Sequence, residues 1–146
     1  TGTAVNPLLR AGYLVRAMRR TSASATGGSS SSSRVGNSSS GEVTLVVPWL
    51  EREDDRRELY GPVTFANKTE QEGYIRMWMR ETADLGEEAD VDRGLKIIFY
   101  PARYHQGLKS IFAMGDICSL IPDDEADVVS DCVLICSLLL LYLSRV

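Results

Sequence analysis

Apolar positions along this chain switch between two periods. Leu8, Ala11, Leu14, Val15 and Met18 recur at three- and four-residue steps, the spacing of one helix face. Asn6 is a good N-cap ahead of them, and Pro7 suits the first turn, where its missing N–H would have no partner anyway. Arg16, Arg19 and Arg20 are expected near the helix end, complementing its dipole. Val43–Pro48 (VTLVVP) is short, β-branched and almost wholly apolar, as a strand buried on both faces of a parallel sheet should be. Pro48 is expected to end that ladder. Glu51–Leu59 is charged and predicts a short exposed helix or turn. Thr69 followed by Glu72 reads as a capping box opening a helix to about Ala83, with Tyr74, Ile75, Trp78 and Met79 on one face. Asp84–Gly94 is acidic and glycine-punctuated, hence a loop. Leu95–Tyr100 (LKIIFY) is the second strand, stopped by Pro101. Asp116 caps a short helix over Ile117–Ile121, Pro122–Glu125 is a turn, and Ala126–Val129 begins a third strand.

Helix and strand alternate, which predicts an α/β fold with βαβ units and a parallel sheet. Right-handed crossovers would set helices on both faces. Between the first helix and first strand, Thr21–Gly41 is almost all Ser, Gly, Thr and Ala, too polar to offset its ordering entropy, and it is expected to be disordered. The residues outside it suffice for one modest core. Val133–Leu143 is nearly all apolar, but its eleven or so residues fall short of the roughly twenty that a spanning helix needs.

The formal net charge of −4 and the absence of a basic face interleaved with aromatics argue against a nucleic-acid partner. The three cysteines, Cys118, Cys132 and Cys136, are odd in number and clustered late, which is no disulfide framework. With His105 as the only histidine, no metal site is expected, and Cys132 and Cys136, four apart, read better as two small buried thiols. The sequence opens on Thr1 rather than Met, so no targeting segment is read from it.

Candidate chemistry centres on the opening loop. A glycine at the carboxyl end of a strand lets backbone N–H groups approach a phosphate, and a helix N-terminus favours negative charge. Thr1, Gly2 and Thr3, with Asn6 behind them, fit such a substrate-binding turn, although one glycine is much weaker than a full dinucleotide fingerprint and a plain capped turn explains the motif as well. Trp49, directly after the first strand, could contact a lipid or sugar or could cap the core. His105 lacks an orienting partner and reads as an exposed loop residue. Asp123, Asp124, Glu125 and Asp127 lack the spacing of a calcium loop and read as a solvated turn. Asn37-Ser38-Ser39 and Asn67-Lys68-Thr69 match the N-glycosylation pattern, which short sequences often do by chance.

Five segments in order, TGTAVNPLLRA (Thr1–Ala11), VTLVVPWL (Val43–Leu50), QEGYIRMWMR (Gln71–Arg80), IFYPARY (Ile98–Tyr104) and KSIFAMGDICSLIPDDEADV (Lys109–Val128), resemble the N-terminal half of the digalactosyldiacylglycerol synthase family. The resemblance implies a partial Rossmann-like parallel sheet from the N-terminal, acceptor-side half of a GT-B glycosyltransferase, over residues 1–128. It implies transfer of galactose from UDP-galactose to monogalactosyldiacylglycerol with retention, no cofactor beyond that donor, and a setting at the chloroplast outer envelope membrane surface. It implies that Thr1-Gly2-Thr3 faces the substrate cleft.

Departures from the family are the Thr21–Gly41 insertion, the lengthened connection around Gly86–Gly94, and the end. From Val129 the sequence changes to SDCVLICSLLLLYLSRV, so residues 129–146 are expected to be foreign to the domain, such as intron read-through. The catalytic residues are then expected outside this chain, and the chain alone is expected to be inactive. Two other readings stand beside this one. One is a different GT-B transferase acting on another lipid or sugar. The other is a short non-catalytic interaction or membrane-surface module.

Overall fold

The computed structural model describes residues 5–25, 42–90 and 94–121. The expected third strand at Ala126–Val129, the Pro122–Glu125 turn, the acidic cluster, Cys132, Cys136 and the apolar tail lie outside these residues, as does most of the Ser/Gly segment. Helix α1 (Val5–Ala25) is followed by strand β1 (Val43–Leu50), helices α2 (Glu53–Tyr60) and α3 (Lys68–Glu81), strand β2 (Leu95–His105) and strand β3 (Ser110–Ala113). Short 3-10 turns lie at Gln106–Leu108 and Cys118–Leu120.

The sheet order is β1-β2-β3. β1 and β2 are parallel, with Val43 opposite Leu95 and Leu50 opposite Ala102. β3 is antiparallel to β2, with Ala102 opposite Ala113. The sheet is therefore mixed, and the expectation of an all-parallel sheet is corrected: the pattern contained a hairpin as well as a crossover. Neither proline stops its strand. The β1 ladder bonds run from the Val43 N–H to the Gly94 carbonyl and from the Glu51 N–H to the Ala102 carbonyl, so odd-numbered residues of β1 donate toward β2. Pro48 has the opposite parity. Its missing N–H points to the outer edge, where a ladder does not need it. Pro101 is turned toward β3, and β3 ends beside it. Only its carbonyl is used there, by the Met114 N–H at 2.7 Å.

One face of the sheet carries α1 and α3. Leu8, Ala11 and Val15 of α1 and Ile75, Trp78 and Met79 of α3 share one core with Val47, Leu85, Ala89 and Leu95, and Val43, Leu45, Ile97 and Phe99 pack against it. The strand residues in this group are all odd-numbered and so lie on one face of the pleat. Among the described residues these two helices share that face, rather than dividing between both as expected. Leu14, which the periodicity placed on the buried stripe of α1, is 52% exposed: it lies about 100° around the helix from Val15, beyond the stripe's edge.

α1 is also longer than expected. It runs through Ala25, five residues into the Ser/Gly segment, and the Thr21 hydroxyl donates to the Met18 carbonyl at 2.8 Å in place of solvent. Its arginines therefore sit inside the helix instead of at its last turn, and they pair sideways. Arg16 Nε donates to Glu88 Oε1 at 2.8 Å, and Arg19 Nη1 donates to Glu87 Oε2 at 3.1 Å. Gly12 permits this close approach: a Cβ there would lie 2.5 Å from Leu85 Cδ1.

The α3 cap is Asn67, not Thr69. The Asn67 side chain accepts from the Glu70 N–H at 2.9 Å, and Glu70 Oε2 accepts from the Ala66 N–H at 2.7 Å. Asn67-x-x-Glu70 offers the same reciprocal chemistry two residues earlier, and Asn caps at least as well as Thr.

Candidate functional site

Side-chain contacts fix the polarity of the helices against the strands. Arg16 and Arg19, in the second half of α1, meet residues 84–88, close to the amino end of β2. Arg76, in the second half of α3, donates from Nη1 to the Ala89 carbonyl at 2.7 Å and from Nη2 to the Leu95 carbonyl at 3.3 Å. Gln71, in the first turn of α3, reaches the Pro48 carbonyl at 3.5 Å, near the carboxyl end of β1. Both helices thus run antiparallel to the parallel pair, and both begin at the carboxyl pole of β1 and β2. In open α/β sheets ligands bind beyond that pole.

Asn6 is exposed at this pole, in the first turn of α1. Thr1, Gly2 and Thr3, which complete the expected binding turn, lie outside the described residues. Trp49 does not face out. It is 8% exposed and packs with Leu50, Tyr60, Phe65 and Ala102, while the Arg56 guanidinium sits over its ring, 4.7 Å from the centroid. The core-capping alternative is the one the structure contains, because α2 folds back over the strand end and closes the indole in.

A tether that the sequence did not reveal holds α2 there. Asp55 Oδ2 accepts from Arg103 Nε at 2.6 Å and from the Tyr104 N–H at 3.2 Å, across 48 and 49 residues. Burial alone would raise the Asp55 pKa, but these two donors outweigh it and hold the carboxyl below its ordinary value. Arg56 Nη1 donates to the Leu50 and Glu51 carbonyls, closing the first residues after β1. Nothing in the spacing of a charged run such as Glu51–Leu59 marks Asp55 as the buried member. Gln71, another apolar-face intruder, is 5% exposed, and its Oε1 has no hydrogen-bond partner among the described residues.

His105 is exposed, as expected. Its Nδ1 accepts from the Leu108 N–H at 3.2 Å, which starts the turn into β3, and its ring meets the edge of Phe112. Asp116 Oδ1 accepts from the Cys118 N–H at 2.9 Å, in keeping with its expected capping role. Cys118 is an exposed free thiol, while Cys132 and Cys136, read as buried thiols, lie outside the described residues. Among the described residues no three His, Cys, Asp or Glu side chains converge as a metal site, and no helix is long and apolar enough to cross a membrane.

The opposite pole holds an open depression of about 590 Å³ lined by Arg16, Arg19, Arg20, Asp84, Gly86, Glu87 and Glu88. Its charges largely satisfy one another. The Arg16–Glu88 contact holds the Glu88 carboxyl below its ordinary pKa against the effect of burial. A depression whose cations are already matched by carboxylates has little to offer an anionic ligand.

The fold is an α/β unit built on a parallel crossover from β1 to β2, with the N-termini of α1 and α3 at the carboxyl pole. Comparison with known sequences is more particular. No protein-family model matches the chain. It is 38% identical over 128 residues to digalactosyldiacylglycerol synthase 2, chloroplastic, of Lotus japonicus, covering 88% of this chain and 22% of that protein. It is 37% identical over 128 residues to the Glycine max protein of the same name, again covering 22% of it. It is also 38% identical over 128 residues to digalactosyldiacylglycerol synthase 1, chloroplastic, of Arabidopsis thaliana, covering 12% of it. The resemblance to the digalactosyldiacylglycerol synthases is borne out over most of the chain, and the chain spans between about an eighth and a fifth of these relatives' lengths.

Proposed function

We propose that this chain is the acceptor-side portion of a galactolipid galactosyltransferase that moves galactose from UDP-galactose to monogalactosyldiacylglycerol. The observation that carries this reading is the identity of 34–38% over 88% of the chain to proteins named digalactosyldiacylglycerol synthase. The geometry agrees with it, because α1 and α3 begin at the pole where a Rossmann-like half of a GT-B enzyme faces its cleft. In this reading Thr1, Gly2, Thr3 and Asn6 line the acceptor side of that cleft, and no cofactor beyond the sugar nucleotide is used. The working site is the surface of the chloroplast outer envelope membrane.

Glycosyl transfer depends on positioning two substrates and stabilising the departing diphosphate. One wall of a cleft supplies neither, so the isolated chain is inactive. The direct test is a chimera in which this chain's matched 128 residues replace the corresponding segment of the Lotus japonicus protein, assayed with UDP-galactose and monogalactosyldiacylglycerol vesicles. Digalactolipid formation supports the proposal. A folded chimera that makes a different glycolipid, or none, overturns it. Digalactolipid made by the 146-residue chain alone overturns the statement of inactivity.

A further inference from the structure

Two side chains from different helices hold the carboxyl end of β1. The ladder parity turns the Pro48 and Leu50 carbonyls away from β2, on one side of the strand and about 6–7 Å apart. Gln71, in the first turn of α3, reaches the Pro48 carbonyl with Nε2 at 3.5 Å. Arg56, in α2, donates to the Leu50 carbonyl from Nη1, and its guanidinium is held over the Trp49 ring. Each side chain keeps one further polar atom buried, with no hydrogen-bond partner among the described residues: Gln71 Oε1 and Arg56 Nε. Gln71 is 5% exposed, while Arg56 is half-buried, so the pair stands just beneath the surface. A buried polar atom left unmatched costs stability and calls for a reason. Both of these lie at the pole where open α/β sheets bind ligands.

The two atoms have opposite needs. Gln71 Oε1 is an acceptor and needs a hydrogen; Arg56 Nε–H is a donor and needs a lone pair. A phosphate or carboxylate would suit Arg56 but set a second acceptor against Gln71. An ammonium would suit Gln71 but meet the guanidinium charge. A neutral hydroxyl suits both, because it donates and accepts at one atom. We propose that Gln71 and Arg56 bind a hydroxyl of a neutral sugar, which donates to Gln71 Oε1 and accepts from Arg56 Nε. The assignment rests on the reading of the chain as part of a galactolipid galactosyltransferase, whose acceptor presents such hydroxyls on an uncharged headgroup. The bonds to Pro48 and Leu50 fix both side chains to the strand, so little freedom remains to be lost on binding.

Methyl β-galactoside, glycerol and inorganic phosphate, titrated separately into the 146-residue chain, test this by NMR of the Gln71 side-chain amide and the Arg56 Nε–H. The galactoside should shift both signals and raise the urea midpoint. Gln71→Met keeps the bulk and removes the acceptor, and it should weaken galactoside binding roughly tenfold or more. Signals that the galactoside leaves in place overturn the proposal, and this result needs no variant to fold. Binding that Gln71→Met leaves intact overturns it too. Shifts with phosphate, or shifts with glycerol equal to those with galactoside, overturn the assignment to a neutral sugar. No galactoside response beside an active chimera removes this pair and leaves the transferase reading standing; a galactoside response beside a folded but inactive chimera does the reverse.

Discussion

Arg16 closes on Glu88 with two bonds, Nε to Oε1 at 2.8 Å and Nη2 to Oε2 at 3.1 Å, across 72 residues of sequence. A third bond, from Nη2 to the Asp84 carbonyl at 2.7 Å, fixes α1 to the turn before β2. The Glu88 side chain is only 5% exposed, so its charge depends on this partner. Arg16→Ala should lower the urea midpoint, and Glu88→Gln should lower it as well. The double variant should cost less than the sum of the two, because each single change strands the other group. Strict additivity in equilibrium unfolding would show that the two are not coupled.

Acid should loosen the same contacts. Glu88 and Asp55 both have folded pKa values below their unfolded ones. Groups shifted this way contribute stability that is present above the unfolded values, about 4.3 for Glu and 3.9 for Asp, and lost as pH falls through the lower folded values. The urea midpoint should be flat near neutrality and fall below about pH 4. In Arg16→Ala the Glu88 titration followed by NMR should move upward, while Asp55 stays in place. No movement of Glu88 would remove Arg16 as the cause of its shift.

Arg76 is a buried cation with three anchors: Glu72, the Ala89 carbonyl and the Leu95 carbonyl. Arg76→Met keeps bulk but leaves two buried carbonyls without donors. The expected loss is about 2–4 kcal/mol of unfolding free energy. A loss under about 0.5 kcal/mol, as at ordinary surface positions, would contradict these contacts.

Trp49 gives a spectroscopic test of the carboxyl pole. Both tryptophans of the chain, Trp49 and Trp78, are buried, so native fluorescence should lie to the blue of the denatured chain. Trp49→Ala should cost about 3–5 kcal/mol, and Trp49→Phe less. Collisional quenching by iodide in the Trp78→Phe variant should be weak. Strong quenching would put the Trp49 indole in solvent and revive the lipid-or-sugar contact read from its position after the strand.

Gly12 and Leu85 should be coupled. Gly12→Ala gains about 1 kcal/mol of helix propensity but drives a Cβ into Leu85 Cδ1. Overpacking costs about 1–3 kcal/mol, so the single variant should be neutral to destabilised. Combined with Leu85→Ala, the same change should be better tolerated. Equal effects of Gly12→Ala in both backgrounds would rule out the close approach.

The elements that could be read from the sequence were those whose signal is local. The apolar runs of β1 and β2 and the stripes of α1 and α3 follow from side-chain periodicity, and each lies within two to five residues of its expected span, except where β2 runs on past Pro101. What escaped was set by partners distant in sequence. Pro48 and Pro101 read as stops because a lone sequence does not reveal which edge of a strand faces a neighbour. β3 escaped because Ser110–Ala113 is only four residues long and takes its strand character from pairing with β2. Asp55, Gln71 and Arg76 look like solvated residues until Arg103, Pro48 and Ala89 are brought to them. The Thr1–Thr3 segment, read as a binding turn, lies outside the described residues, and α1 just behind it starts at the carboxyl pole of β1.

α1 finishes and β1 starts at the same end of the sheet, the one remote from the carboxyl pole of the parallel pair. Both ends of the connection between them are thus remote from the first turns of α1 and α3. Its serines and glycines can be trimmed, or exchanged for an affinity tag or a fluorophore, and ligand affinity should not register the change.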